Sequence, residues 1–173
     1  MPRWILVMLL ACVFGTPALA GDTPPALPAE TLDGSALTLP QALPAQPVLL
    51  IVGFSRASRG ACRSWSERLH RADHPAGLAV YQVAAIDDVP RWLRGLVARG
   101  IRSGVPAALH DHFLLVTAQG AIWRKFAAYA QPDAVYLLLF DARHELRWRH
   151  TGALDTAAYV ALQRAVQRLG GSR

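Results

Sequence analysis

One cysteine stands where an apolar run of the sequence changes into a helical pattern. The segment FSRASRGACRSW, residues 54–65, ends the apolar run PVLLIVGF and carries Cys62 near the start of a predicted helix. A helix N-terminus and neighbouring guanidinium groups both stabilise a thiolate, and Arg59 and Arg63 flank this cysteine. Cys62 is therefore the candidate nucleophile of a thiol enzyme, with Arg59 and Arg63 as its activators.

The surroundings of this cysteine argue against such chemistry. Thiol–disulfide exchange needs an attacking thiolate and a second thiol that resolves the mixed disulfide, and the only other cysteine is Cys12 in the N-terminal leader. At helical spacing Cys62, Trp65 and Leu69 share one face, and a thiol buried in apolar surroundings has a raised pKa and is inert. The sequence favours a structural Cys62 and no catalytic residue, with the thiol enzyme as the alternative.

The first twenty residues have the order of a secretory signal peptide. A positive start, an apolar stretch and an Ala-x-Ala pattern follow one another in MPRWILVMLLACVFGTPALA, and the apolar stretch is shorter than a membrane-spanning helix. We therefore expect cleavage between Ala20 and Gly21, and a mature chain that is periplasmic or secreted. A lipoprotein site at Cys12 is the alternative that the sequence leaves open.

Arginine dominates the positive charge of the chain. Lysine and arginine number 18 against 12 acidic residues, for a formal net charge of +6, which falls to +5 when Arg3 leaves with the leader. Guanidinium groups suit bidentate recognition of carboxylates and phosphates. Without a nucleic-acid-binding motif, and with an export signal, we expect a protein partner in the cell envelope or an anionic lipid surface. The residues predicted to bind this partner lie along one side of the second helix: Arg91, Arg94, Arg99 and Arg102.

Histidines and carboxylates occur in two short groups. One is the run HDH at residues 110–112, whose three side chains cannot all face one ion and which has no distant ligand to complete it. The other is His70, Asp73 and His74 at the end of the first helix, where cations interact favourably with the helix dipole. The sequence predicts neither a metal site nor a cofactor.

Apolar periodicity predicts one α/β domain at residues 30–173, after a flexible leader at residues 21–29. An opening hairpin is expected about the Asp-Gly pair at residues 33–34. Continuous apolar runs, typical of strands buried on both faces, then alternate with amphipathic helices. This order predicts a mostly parallel central sheet with helices on both faces and a C-terminal antiparallel hairpin.

The helices are placed by their caps and by their apolar positions. Ser58 is expected to cap the first helix, Asp87 or Asp88 the second, and Asp155 the last. The apolar residues of the second helix are expected to be buried: Trp92, Leu93, Leu96, Val97 and Ile101.

These pieces and their order resemble the thioredoxin-like superfamily, in its exported, redoxin-type branch. The likeness rests on three segments: the opening hairpin ETLDGSALTLPQAL, the run PVLLIVGF with the Cys-Arg helix after it, and the closing hairpin YLLLFDARHELRWRHTGALD. Together these segments span residues 30–169 approximately. The resemblance implies a thioredoxin-like fold for nearly the whole of the predicted domain.

The active site of that family has the form Phe-Trp-Ala-x-Trp-Cys-x-x-Cys-Arg, and this chain departs from it. In a gapless alignment from Phe54, the second cysteine falls on Cys62 and its basic follower on Arg63, but the nucleophilic cysteine falls on Arg59. The family's cis-proline has no counterpart in register, since the nearest proline is Pro132. The cysteine patterns of peroxiredoxins and of copper-delivery relatives are missing as well. The resemblance therefore implies a degenerate active site, in which RGAC replaces CxxC.

A narrower resemblance is to the thioredoxin-like assembly factors of the mitochondrial ATP synthase. It rests on the arginine-bearing stretch RWLRGLVARGIRSGVP, residues 91–106, and on YLLLFDARHELRWRHTG downstream. Those factors are regarded as chaperones rather than thiol enzymes. The resemblance implies a non-catalytic binding, assembly or chaperone-like factor. The alternatives are a single-cysteine thiol–disulfide oxidoreductase or peroxiredoxin-like enzyme acting through Cys62, and a structural accessory domain.

Cleavage of the predicted signal peptide can be tested directly. Because the Ala-x-Ala pattern ends at Ala20, we expect mass spectrometry of the protein recovered from the envelope fraction to find Gly21 at its N-terminus. A chain that begins at a diacylated Cys12 would contradict this expectation and make the protein a lipoprotein.

Overall fold

The computed structural model describes residues 24–71 and 75–171, so the predicted signal peptide, Asp73 and His74 lie outside the described residues. The strands are β1 (Leu27–Thr31), β2 (Ala36–Leu39), β3 (Val48–Gly53), β4 (Ala79–Ala85), β5 (Phe113–Val116), β6 (Val135–Phe140) and β7 (Leu146–Thr151). The helices are α1 (Arg59–Leu69), α2 (Arg91–Ser103), α3 (Gly120–Phe126) and α4 (Thr156–Gly170), with a 3₁₀-helix at Ala107–His112. Within the described ranges, no helix combines the length and the apolar character needed to cross a bilayer.

The strands form one mixed sheet, and the helices pack on its two faces. Its strand order is β2-β1-β5-β4-β3-β6-β7. The parallel part is β3–β4–β5, whereas β1 with β2, β1 with β5, β3 with β6 and β6 with β7 pair antiparallel. The predicted opening and closing hairpins are present, and the sheet is more mixed than the sequence pattern suggests. Right-handed crossovers place α1 and α2 on the same face, and this arrangement positions the candidate site.

Apolar side chains cover both faces of the central strands. Every residue of β3 and β6 is buried, which explains why their sequences are continuous apolar runs. On one face Ile51 packs with Trp65 of α1 and Leu162 of α4. On the other face Leu50 packs with Trp123 of α3. The Trp65 indole N–H also donates to the Gly152 carbonyl at 3.2 Å, which ties α1 to the end of the closing hairpin.

Part of the flexible leader predicted at residues 21–29 belongs to the first strand of the sheet. Strand β1 begins at Leu27, which pairs with Leu39 of β2 and is buried. Ala29 is buried as well. The last three residues of the predicted leader at 21–29 therefore belong to the sheet, because alternate side chains of this Pro/Ala-rich stretch are apolar and face the core.

Of the predicted caps, Asp155 is confirmed. Its carboxylate accepts a hydrogen bond from the Ala158 N–H at 2.7 Å at the start of α4. Ser58 stands at the N-cap of α1 but does not cap it with its side chain, because the Ser58 hydroxyl donates to the Ser55 carbonyl at 2.9 Å. The first turn of α1 therefore keeps N–H groups that no side chain satisfies.

The prediction that Asp87 or Asp88 caps α2 is wrong. Helix α2 begins after Pro90, and no side chain caps it. Asp87 instead turns to α3, where its carboxylate meets Arg124 at 3.1 Å. It lies so close to the start of α3 that a Cβ on Gly120 would come within 1.8 Å of the carboxylate. The glycine at this position is therefore required by the close approach of Asp87.

The predicted burial of α2 is also wrong. None of its residues is buried, and Trp92 and Leu96 are 80% and 64% exposed. The helix touches the sheet side through the partly buried Ala98 and Ile101, which pack near Phe113. The apolar positions of α2 do share one helix face, as the sequence pattern predicts, but the packing of the neighbouring layers leaves that face largely uncovered.

Loss of the α4 cap gives a stability test of this part of the fold. We expect Asp155→Ala to lower the free energy of unfolding by about 1 kcal/mol, because the Ala158 N–H loses its acceptor. Urea denaturation of the wild type and the variant measures the change. Asp133 is exposed and provides the control. Asp133→Ala should leave the free energy of unfolding within about 0.5 kcal/mol of the wild-type value. Equal effects of both substitutions would contradict the cap.

Candidate functional site

The end of β3 and the start of α1 bring the predicted active-site residues together. Gly53 ends β3, and a Cβ added there would lie 2.8 Å from the Ser58 hydroxyl and 3.0 Å from the Cys62 sulfur. The absence of a side chain at Gly53 therefore allows the first turn of α1 to sit directly on the strand. Because of this contact, Cys62 points into the sheet rather than towards solvent.

The Cys62 thiol is buried, as the helical spacing predicts. It is 3% exposed and packs with the buried Trp65 and Leu69. Burial raises the pKa of the thiol to about 11, and a hydrogen bond with Ser58 offsets only part of that increase. At neutral pH the group is a protonated thiol, which is a poor nucleophile.

The two arginines beside the cysteine do not contact its sulfur. Arg63 is exposed and pairs with Glu67 at 2.7 Å, one helical turn along α1. Arg59, which the gapless sequence alignment pairs with the family's nucleophilic cysteine, is exposed at the first residue of α1. Neither guanidinium therefore stabilises a thiolate at Cys62, in contrast to the activator roles of the thiol-enzyme alternative.

A large groove lies between α1 and α2. Its volume is about 870 Å³. Strand β4 forms its floor with residues 82–85, α1 forms one wall, and α2 with the following segment forms the other. Cys62 lines the bottom of this groove beside Gly53. The groove exists because α2 is held off the sheet, and the sequence pattern, which predicted a buried α2, gave no sign of it.

Positive charge gathers at the end of the groove where α1 begins. Arg56 and Arg59 line this end and are exposed, and neither has a carboxylate partner among the described residues. The acidic lining residues Glu67 and Asp88 are already paired with arginines. This end of the groove therefore carries uncompensated positive charge.

Three of the four predicted partner-binding arginines lie on the open side of α2. Arg91, Arg99 and Arg102 are exposed, and no ion pair of theirs occurs within the described residues. Arg94 differs, because its guanidinium turns back and donates to the carbonyls of Val89 at 2.8 Å and Asp87 at 2.7 Å. Arg94 fastens the loop before α2 and does not belong to the exposed row.

Two apolar residues that were predicted to be buried are exposed beside these arginines. Trp92 and Leu96, four positions apart, share one side of α2. The sequence carries no signal for this exposure, because the apolar positions of α2 share one helix face and have the spacing of a buried face. We call the exposed set the α2 surface, and its members are Arg91, Trp92, Leu96, Arg99 and Arg102.

The histidines of the run at residues 110–112 contact nearby protein groups. A ring nitrogen of His110 lies 3.0 Å from the Val105 carbonyl, and His112 lies 2.7 Å from the Asp111 carboxylate and stacks on Tyr81. The two rings therefore have separate partners. No group of three metal-ligating side chains occurs within residues 24–71 and 75–171.

The peptide bond before Pro132 does not reproduce the family's cis-proline. Among the described residues the cis peptide bond is Leu39–Pro40, at the other edge of the sheet. Pro132 is exposed in the turn that precedes β6.

Comparison with solved structures identifies the fold. The chain resembles BsSco, a member of the Sco family of cytochrome c oxidase assembly proteins, with TM-score 0.60 and 13% identity over 90% of this chain and 97% of that one. It also resembles the pneumococcal exposed lipoprotein thioredoxin of Streptococcus pneumoniae, with TM-score 0.56 and 12% identity over 81% and 98% of the two chains. A third similar structure is StoA from Bacillus subtilis, with TM-score 0.52 and 13% identity over 82% and 96%. The predicted thioredoxin-like fold is confirmed.

The sequence comparisons are less informative. No protein-family model and no curated protein sequence matches the chain. The narrower resemblance to assembly factors of the mitochondrial ATP synthase is not shown and stays a prediction.

Burial of Cys62 predicts slow reaction with thiol reagents. At pH 8 we expect iodoacetamide to label the native protein about a hundredfold more slowly than the protein in denaturant, because the pKa of about 11 leaves few thiolates and the sulfur is covered. Mass spectrometry of timed samples measures both rates. A native rate close to that of free cysteine would mean an exposed thiol and would favour the enzyme.

The same pKa shift predicts a stability effect at high pH. The folded state holds the Cys62 proton more tightly than the unfolded state, so the thiol's contribution is complete below about pH 9 and is lost between about pH 9 and 11. At pH 7 we expect Cys62→Ala to cost about 1 kcal/mol through a small void. Urea titrations measure the difference in the free energy of unfolding between the wild type and this variant. As the pH approaches 11 this difference should shrink and change sign, whereas a difference that stays constant with pH would contradict the raised pKa.

Proposed function

We propose that this chain is an exported thioredoxin-like protein with a degenerate active site, which acts by binding a protein partner in the cell envelope. In this role it serves as an assembly or chaperone-like factor and not as a thiol enzyme. The α2 surface is the partner-binding site.

The observation that carries this proposal is the state of the former catalytic position. In the sequence alignment Arg59 falls at the position of the attacking cysteine, and in the structure Cys62 is buried, which raises its pKa to about 11. An exchange reaction would need an accessible thiolate and a resolving thiol. Among the described residues Cys62 is the only cysteine, so both requirements are unmet.

The chemistry of the α2 surface supports binding to a protein. Trp and Arg are the residues most enriched at the energetic centres of protein interfaces. On α2 the exposed Trp92 and Leu96 provide apolar area, and Arg91, Arg99 and Arg102 provide charge that carboxylates can pair with. An envelope protein that presents an apolar patch bordered by acidic side chains fits this surface. An anionic lipid surface is the alternative partner.

The comparisons are compatible with a binding role at the level of the fold. One similar structure, BsSco, belongs to a family of cytochrome c oxidase assembly proteins. A thioredoxin-like fold therefore occurs in proteins that serve assembly, although a shared fold alone does not define function.

A second candidate function is a single-cysteine thiol enzyme. The observation in its favour is that Cys62 lines the bottom of the groove between α1 and α2. In this alternative the Cys62 thiolate would attack a disulfide of the partner, which forms a mixed disulfide with one partner sulfur and releases the other as a thiolate.

Affinity capture from the native envelope distinguishes the two functions. We expect Trp92→Ser to lose the partners that the wild type retains, because Trp92 is the most exposed apolar side chain of the α2 surface and does not line the groove. Ile122→Ser is the matched control, since Ile122 is a large apolar side chain that is exposed on α3. Capture by Cys62→Ser, and by the wild type in reductant, should remain unchanged.

The enzyme alternative predicts the opposite pattern. Capture would then depend on Cys62 and disappear in reductant. Insulin reduction by the wild type above background, abolished by Cys62→Ser, would also contradict the binding function.

A further inference from the structure

We propose that the groove between α1 and α2 is a binding site for a long-chain carboxylate, with the acyl tail in the groove and the carboxylate at the N-terminus of α1. This inference concerns a ligand of the chain itself and does not depend on the identity of the protein partner.

The groove has the size of a ligand site. Pockets that hold small molecules have volumes of about 300–1,000 Å³, and this groove has a volume of about 870 Å³. Its lining residues run along α1 from Arg59 to His70, about 16 Å of helix at a rise of 1.5 Å per residue, so the groove is elongated in that direction. A long, narrow ligand fits this shape better than a compact one.

The middle of the groove is apolar. Ala84 forms its floor, Cys62 lines one wall, and Val97 and Ile101 line the other. Other polar side chains that line the groove, Ser66, His70, Gln82 and the ion pair of Arg63 with Glu67, lie farther from the start of α1. Apolar area that water now contacts would be covered by an acyl chain, which is the favourable direction of the hydrophobic effect.

The floor of the groove favours an acyl chain over a peptide. Strand β4 is paired with β3 on one side and with β5 on the other, so it offers no open edge to an added strand. The backbone of an extended peptide would bring N–H and C=O groups into an apolar channel with few partners, at a cost in free energy. An acyl chain carries no such groups along its length.

The start of α1 supplies an anion-binding end. The guanidinium groups of Arg56 and Arg59 lack carboxylate partners within the described part of the chain and line this end of the groove. The Ser58 hydroxyl does not cap the helix, and no acceptor among the described residues is hydrogen-bonded to the N–H groups of Gly60 and Ala61. Helix N-terminal N–H groups and arginine pairs both favour a carboxylate.

The space before Gly60 is open to such a group. A Cβ built on Gly60 meets no atom within 4 Å. A carboxylate can therefore approach the first turn of α1 without displacing protein atoms.

Fluorescence titration with cis-parinaric acid, an eighteen-carbon polyene carboxylate, tests the site. We expect the full-length processed protein, freed of lipid on a hydrophobic resin, to bind one probe molecule per chain with a dissociation constant in the micromolar range. Oleate should displace the probe competitively. Absence of saturable binding would overturn the proposal.

The position of the site is tested by filling the groove. Gly100 lies on α2 and lines the groove, and a Cβ there meets no atom within 4 Å, so Gly100→Leu adds a side chain to the channel without a clash. Gly95→Leu is the matched control, because Gly95 lies on the same helix, is equally free of neighbours and does not line the groove. We expect about tenfold weaker probe binding for Gly100→Leu and no change for Gly95→Leu.

Both leucine variants should fold, since replacing a helical glycine removes an unfavourable residue, and circular dichroism verifies this. Equal affinity of the two variants would overturn the placement of the tail in this groove.

The head-group position is tested by removing its charge. We expect Arg56→Gln/Arg59→Gln to weaken probe binding about tenfold, because the carboxylate loses both guanidinium partners. Arg143→Gln/Arg164→Gln, two exposed arginines elsewhere on the molecule, lowers the net charge equally and should have no effect. Equal weakening by both double variants would mean a general charge effect and would overturn the proposed carboxylate position.

Discussion

The contact between α1 and the end of β3 determines most of what this chain can do. Gly53 has no side chain, so Ser58 and Cys62 approach the strand to a distance that any Cβ would prevent. The helix then buries Cys62, Trp65 and Leu69 against the sheet. This packing stabilises the domain, and by excluding water it keeps the Cys62 thiol protonated. The same interaction that supports the fold therefore removes the nucleophile on which thiol chemistry would depend.

Helix α2, in contrast to α1, is only weakly packed against the sheet. Its apolar residues share one helix face, but that face does not close onto the sheet, and the helix rests there only through partly buried residues. Arg94 compensates in part, because it holds the loop before the helix through two backbone carbonyls. A weakly packed helix leaves a groove beside it and an apolar, basic surface that adjoins the groove at Leu96. Both candidate binding features thus arise from one cause, the incomplete burial of α2.

Electrostatics link these two features. Where acidic side chains lie near the groove they are already paired, as Glu67 is with Arg63 and Asp88 with Arg124. The positive charge that remains is carried by Arg56 and Arg59 at the groove and by three arginines of the α2 surface. Uncompensated charge of one sign on neighbouring surfaces favours partners and ligands of the opposite sign. A carboxylate in the groove and an acidic partner on α2 are consistent with this pattern.

Elements with local sequence signals could be predicted before the fold was known. Continuous apolar runs identified β3 and β6, the i, i+3, i+7 spacing of Cys62, Trp65 and Leu69 identified a buried helix face, and the alignment placed Arg59 at the nucleophile position. The separation between α2 and the sheet follows from tertiary packing and could not be predicted from local patterns. That separation depends on the distance between elements far apart in the chain and on which arginines find partners, so Trp92 and Leu96, predicted as core, are exposed. Local periodicity reports which residues share a face, and the packing of the neighbouring layers decides whether that face is covered.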